Sequence, residues 1–181
     1  MLSTLAACAA VLGTMNLIGS TTGCGADDAV RSSPAAQGRA ATDPAALEAE
    51  EQAALARINE LRVQASLEPL AAEASLVRAA RDFACVLANE EVLSHTGPDG
   101  STFVERMCAA GFEPACDGRV AGAENLAAGS ASGDATFEQW FASDGHRQNM
   151  LGPDYSLAGI GRCVRPGTRL TYFWTLLAVA R

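Results

Sequence analysis

The chain closes on "LAGIGRCV", "RPGT" and "RLTYFWTLLAVA", and this stretch constrains the fold more than any other. The two outer runs are rich in β-branched, aromatic and aliphatic residues, and the Pro-Gly pair between them marks a turn, so they read as a β-hairpin. The second run is nearly continuous in apolar residues. A strand of that composition belongs in the middle of a core rather than on a wet surface. The rest of the chain must therefore supply what packs on it, and most of it reads as helix. In "TDPAALEAEEQAALARINELRVQAS", Asp43 is placed as N-cap and Pro44 at the first helical position, while Leu47, Leu55, Ile58 and Leu61 recur at helical spacing. A Pro-containing turn leads to a second helix, with Leu76, Val77, Ala80, Phe83, Ala84 and Leu87 on one face and Cys85 riding on it. Next come a loop bearing His95, the turn "GPDG" and a short helix capped by Ser101 or Thr102 and stopped at Gly111. Residues 113–134 read as loop with a brief strand before Glu124. Asp134 is then expected to cap a helix whose Phe137, Trp140 and Phe141 sit at core spacing. Trp140 and Trp174 read as core residues. The fold class is α+β, with helices packed against a small antiparallel sheet that the hairpin helps to build.

With 181 residues, 49% of them hydrophobic, the chain can bury one core, so a single domain behind a leader is expected. The formal net charge of -8 and the scatter of the 13 basic residues argue against a nucleic-acid partner, because phosphate binding needs a basic stripe. All 13 are arginines. The absence of lysine excludes a Schiff-base lysine, a Walker-type phosphate lysine and a Ser-Lys dyad together. No G-x-S-x-G elbow supports a serine hydrolase.

Residues 1–24, "MLSTLAACAAVLGTMNLIGSTTGC", are apolar and free of charged side chains, which reads as an export signal, although the usual basic residue at its start is missing. "TTGC" resembles a bacterial lipoprotein box, making Cys24 a lipidation candidate; simple secretion is the alternative. A membrane would then be met only through that anchor. Residues 25–42 read as a flexible linker, and residues 43–181 as the folded domain. Export places the remaining Cys85, Cys108, Cys116 and Cys163 in an oxidising compartment, where disulfides are the default. Three pairings are open. Cys108 and Cys116 suit a local bridge, which leaves Cys85 on a helix to join Cys163 on the hairpin.

His95 and His146 are the only histidines. His146 is expected just past the tryptophan helix, with Gly145 turning the chain so that this imidazole faces His95 across a cleft. Two imidazoles and a carboxylate with open positions are the arrangement of a catalytic rather than a structural zinc site, yet they form no local chelate such as H-E-x-x-H. Structural roles compete at each position. His95 would cap the "GPDG" turn, His146 would bond the helix end, and Glu124 would accept backbone N–H groups.

The segments "INELRVQASLEPL", "SHTGPDGSTFVERMCAAGF", "AENLA", "FEQWFASDGHRQNML" and "LAGIGRCV…TYFWTLLAVA", in this order, resemble the CAP superfamily, also called the sperm-coating-protein (SCP) domain. The resemblance spans about residues 50–181. It implies an α-β-α sandwich with a small, mainly antiparallel sheet between helices, in extracellular proteins. It also implies a cleft lined by two histidines and carboxylates that holds a divalent metal, often zinc. On this chain the matching residues are His95, Glu124 and His146. Where larger relatives place a second Glu, this chain has Ser143; Asp144 follows and is the candidate substitute.

Three functions are compatible with that resemblance. The first is a secreted or surface-anchored, monomeric binding module with a metal-holding cleft and a groove for a peptide, glycan or lipid. The second is a metal-dependent, peptidase-like hydrolase. The third is a structural envelope protein with a vestigial cleft. Ser143 at the carboxylate position weighs against catalysis, because it removes a candidate general base.

Overall fold

The structure is a computed structural model that describes residues 47–181. The export signal, Cys24, the linker and the Asp43–Pro44 helix start lie outside the described residues. The first helix, α1 (Ala49–Gln64), has Glu48 as its N-cap, which donates its N–H to Glu51 at 2.8 Å. After the two-residue strand β1 (Ala71–Ala72) comes α2 (Ala74–Glu90), whose N-cap Glu73 accepts the Leu76 N–H at 2.8 Å. Its buried face includes Leu76, Val77, Ala80, Phe83, Ala84 and Leu87, as the spacing predicts. A short α3 (Phe103–Ala109) is capped by Thr102, and the chain leaves it through Gly111 at φ 93°. A 3-10 turn at Glu113–Ala115 leads to strand β2 (Gly122–Ala128), and then to α4 (Gly133–Phe141) and α5 (Asp144–Met150). The hairpin is β3 (Leu157–Val164) and β4 (Tyr172–Val179).

The strands form one sheet in the order β1-β3-β4-β2. β3 and β4 pair antiparallel, as do β4 and β2, while β1 adds to β3 in parallel. β4 is thus interior, and every residue of it after Tyr172 is buried. Its side chains alternate between two layers. Trp174, Leu176 and Ala178 pack with Ala54, Leu55, Ile58, Phe137, Trp140 and Met150 from α1, α4 and α5. Leu177 and Val179 pack with Leu76, Ala80 and Met107 on the other face, and Phe173 with Phe83 and Leu87. The result is the α-β-α sandwich, with α1, α4 and α5 on one side and α2 and α3 on the other.

The "GIG" of β3 sets how closely α2 approaches. A Cβ on Gly159 would lie 2.2 Å from the Leu76 carbonyl carbon, and one on Gly161 would lie 2.1 Å from the Arg81 nitrogen. The helix backbone therefore rests directly on the strand backbone. Cys85 is bridged to Cys163 with Cα atoms 5.0 Å apart, pinning α2 to β3. Cys108 is bridged to Cys116 at 4.8 Å, tying α3 to the turn after it. Among the described residues no helix is long and apolar enough to cross a membrane.

Four local expectations are corrected. The strand around Glu124 is seven residues long and contains Glu124 rather than ending before it. Helix α4 is capped by Ser132, whose Oγ accepts the Ala135 N–H at 3.2 Å, and Asp134 sits inside its first turn. Phe141 is not core: it is 38% exposed and stacks on Phe137 at 5.7 Å between ring centroids. Gly145 makes no turn, because it lies within α5, and His146 stands on that helix rather than beyond a helix end.

Candidate functional site

β2 is an edge strand, and consecutive residues of it send side chains to opposite faces of the sheet. Glu124, in register with Leu177, faces the α2–α3 layer, and Asn125, in register with Leu176, faces the α1–α4–α5 layer. Each reaches one histidine. The Glu124 Oε1 lies 2.8 Å from His95 Nδ1, on the loop that follows α2. Asn125 donates from Nδ2 to the His146 carbonyl at 2.9 Å, and its own Oδ1 accepts from Asn149 at 2.8 Å. Two neighbouring residues of one strand therefore hold the ring of His95 and the backbone of His146, which arrive from opposite layers. The outward carbonyls of this edge are covered as well: Trp140 Nε1 donates to Leu126 O at 3.1 Å, and Asn149 Nδ2 to Glu124 O at 3.4 Å.

The Glu124 side chain is 2% exposed, and both its oxygens are engaged. Oε2 accepts from Arg106 at 2.7 Å. That guanidinium also donates to Ser101 O at 2.7 Å and His95 O at 3.3 Å, and lies over the Phe83 ring at 3.4 Å from its centroid. Because an ionised carboxylate accepts only, His95 Nδ1 is the donor in this contact, and the ring belongs to a side chain that is 61% exposed. His146 is half-buried. Burial, and after it the nearby charge of His95, pushes the His146 imidazole below its ordinary pKa, so the neutral form is favoured.

The other two candidates lie at the start of α5, the helix that carries His146. Ser143 is the N-cap of α5 and makes no side-chain cap hydrogen bond. Asp144 is 83% exposed and pairs with Arg147 at 2.6 Å on its own helix. Among the described residues no group of three or more His, Cys, Asp or Glu side chains forms a metal cluster. Glu124 stands behind the His95 ring and orients it. Arg106, Asn125 and Asn149 were not singled out in the sequence. The available signal was Glu124 itself, since a carboxylate buried in an apolar strand requires a cation.

The model of the CAP family, described as the cysteine-rich secretory protein family, matches residues 55–177. The uncharacterized protein YkwD of Bacillus subtilis (strain 168) is 26% identical over 118 residues, which is 65% of this chain and 44% of YkwD. Among solved structures, an outer surface protein of Borrelia burgdorferi superposes with a TM-score of 0.62 at 21% identity, covering 73% of this chain and 92% of that one. An extracellular SCP-domain protein of Bacillus anthracis str. Ames superposes with a TM-score of 0.60 at 24% identity, covering 72% of this chain and 40% of that one. This chain therefore spans less than half the length of YkwD and of the Bacillus anthracis protein. The fold, the order of its motifs and the match over most of the described residues lead to one conclusion: the chain belongs to the CAP, or cysteine-rich secretory protein, family.

Proposed function

We propose that this chain is an extracellular CAP binding module whose cleft, at the β2 edge of the sheet, takes a divalent metal on His95 and His146 and offers its open positions to a small ligand, a peptide, glycan or lipid. The observation that carries the reading is the adjacency of Glu124 and Asn125, which from one strand hold the His95 ring and the His146 backbone. Two disulfides suit an oxidising compartment, and the solved relatives include an outer surface protein and an extracellular protein. A bound metal would supply Lewis acidity and a coordination position for the ligand. His95 would contribute Nε2, and Glu124 would hold that ring in orientation.

The hydrolase reading has less support. Both oxygens of Glu124 are engaged by His95 and Arg106, so this carboxylate is poorly placed to act as a general base. The envelope-protein reading expects no metal at all.

Zinc titration calorimetry of the purified protein tests the proposal. The wild type is expected to bind one zinc per chain at neutral pH, and His95→Ala and His146→Ala each to abolish stoichiometric binding. Glu124→Gln should weaken it by roughly tenfold or more, as expected for loss of an orienting partner. Binding should fade as pH falls through about 6, because protonated imidazole does not ligate. A wild type that takes up no divalent metal, or a histidine variant that binds unchanged, would move the envelope reading to first place.

A further inference from the structure

Arg106 borders a trough as well as the Glu124–His95 pair. Along α2, Ala79, Asp82, Phe83 and Val86 stand at i, i+3, i+4 and i+7 and so share one face of the helix. With Arg106, Ala109 and Ala110 at the end of α3 they enclose a recess of about 190 Å³. An adjoining recess of about 420 Å³ shares Arg106 and Ala109 and is bounded by Asp99, Gly100, Ser101 and Glu105. The three alanines leave the trough open, and Phe83 and Val86 give it an apolar wall. The smaller recess exceeds the roughly 150 Å³ that admits a benzene-sized group, so it has room for one aliphatic side chain.

The rim is acidic. Hydrogen bonds from the Ser101 hydroxyl and N–H push the Asp99 carboxyl below its ordinary pKa, and those from the Thr102 N–H and hydroxyl do the same for Glu105, so both are ionised at neutral pH. Among the described residues, neither these two nor Asp82 forms an ion pair with an arginine. The guanidinium of Arg106 is already matched by buried Glu124, so the three rim carboxylates stand in excess. Arg78 stands at the Ala110 end, where it donates to that carbonyl at 2.9 Å.

We propose that the trough between α2 and α3 is a docking site for a basic, aliphatic peptide segment, whose cationic side chains meet Asp82, Asp99 and Glu105 while one aliphatic side chain enters the recess beside Phe83 and Val86. This rests on the binding-module part of the reading above and not on its metal, and it names the peptide class. An apolar anchor inside a charged rim is the usual anatomy of a protein interface. The anchor supplies affinity, and the rim carboxylates steer a cationic partner in and turn an acidic one away. The trough also continues into the cleft, because Arg106 lines it while bonding Glu124 and the His95 carbonyl.

The test is fluorescence-anisotropy titration of dye-labelled peptides with the full chain, in chelator so that no metal contributes. The probe is an alternating leucine–arginine peptide, compared with leucine–glutamate and alanine–arginine peptides of the same length. The wild type is expected to bind the first, to bind the alanine–arginine peptide at least roughly tenfold more weakly for want of the aliphatic anchor, and not measurably to bind the leucine–glutamate peptide. The triple variant Asp82→Asn/Asp99→Asn/Glu105→Gln keeps the local hydrogen-bond acceptors and should bind the probe roughly tenfold or more weakly. Ala109→Trp, which fills the trough from an exposed position, should do the same. Should Ala109→Trp not fold, Ala109→Arg sets a positive charge at the same point and carries the same expectation. A wild type that leaves the leucine–arginine peptide unbound overturns the proposal, as do equal affinities for the three peptides. An unchanged affinity in the triple variant, or in a folded Ala109 variant, overturns it too, the latter because attraction to the acidic surface at large would then explain the binding. Peptide binding by a chain that takes up no zinc leaves the trough standing while the metal reading of the cleft falls. Zinc uptake through both histidines without peptide binding does the reverse.

Discussion

Glu124 is the residue on which the site turns. A carboxylate buried to this degree must be paired and hydrogen-bonded, and the chain meets that demand with one imidazole and one guanidinium. His146 is the opposite case: among the described residues no carboxylate pairs with its ring, and burial together with the charge of His95 favours its neutral form. The stability of the metal-free protein therefore depends on pH through this ring. With a folded-state pKa below the ordinary value of 6.5, the unfolded chain takes up a proton at His146 more readily than the folded one. The contribution of this group is complete above about pH 6.5 and is lost as pH falls from there towards the depressed folded value. Urea unfolding between pH 7.5 and 5 should show the wild type losing stability faster than His146→Gln. Parallel curves for the two proteins would show that the imidazole is not shielded as described.

Among the elements, β3 shows most directly how sequence sets packing. Gly159 and Gly161 face the backbone of α2, and no side chain fits between them. Gly161→Ala should destabilise the protein by about 3 kcal/mol, the upper part of the range for an overpacked core, because the atoms it meets are backbone and cannot swing aside. Thermal unfolding would check this, and a change within about 0.5 kcal/mol, the size of a neutral surface substitution, would contradict the close approach. β2 and α5 teach a different lesson. "AGAENLAAGS" contains no β-branched residue, so its strand character comes from pairing with β4 rather than from intrinsic preference. The Asp-Gly pair of "SDGHRQNM" reads as a turn in isolation. It is helix here, and α5 is anchored through Asn125 to the His146 carbonyl and through buried Met150 to the core.

At the scale of the molecule, two bridges and one buried arginine tie the layers and loops together. Arg62 is fully buried and donates to the carbonyls of Glu68, Met150, Gly152 and Tyr155, which locks the loop after α5 to the end of α1. The Cys85–Cys163 bridge joins residues 78 apart, and on the chain-entropy model its loss should cost about 4 kcal/mol, against about 2 to 3 kcal/mol for the eight-residue Cys108–Cys116 loop. Paired Cys→Ser variants unfolded in urea would measure both. A Cys85→Ser/Cys163→Ser protein no less stable than the Cys108→Ser/Cys116→Ser one would contradict this ordering.

By itself the sequence determined what short-range patterns encode. The apolar run of β4, the helical spacing of α2, a cap at Ser101 or Thr102 and the Gly111 stop were legible because each depends on contacts within a few residues or on burial periodicity. The identity of the family was legible as well, from the order of five motifs. Only the tertiary structure decided that Glu124 and Asn125 reach opposite faces of an edge strand, that Arg106 is built beside Glu124, and that Asp144 is exposed and pairs with Arg147. The physical reason is the same in each case. A buried charge is satisfied by whichever partner the fold brings within hydrogen-bond reach, and for Glu124 those partners come from a loop and a helix that the chain's order does not place beside it.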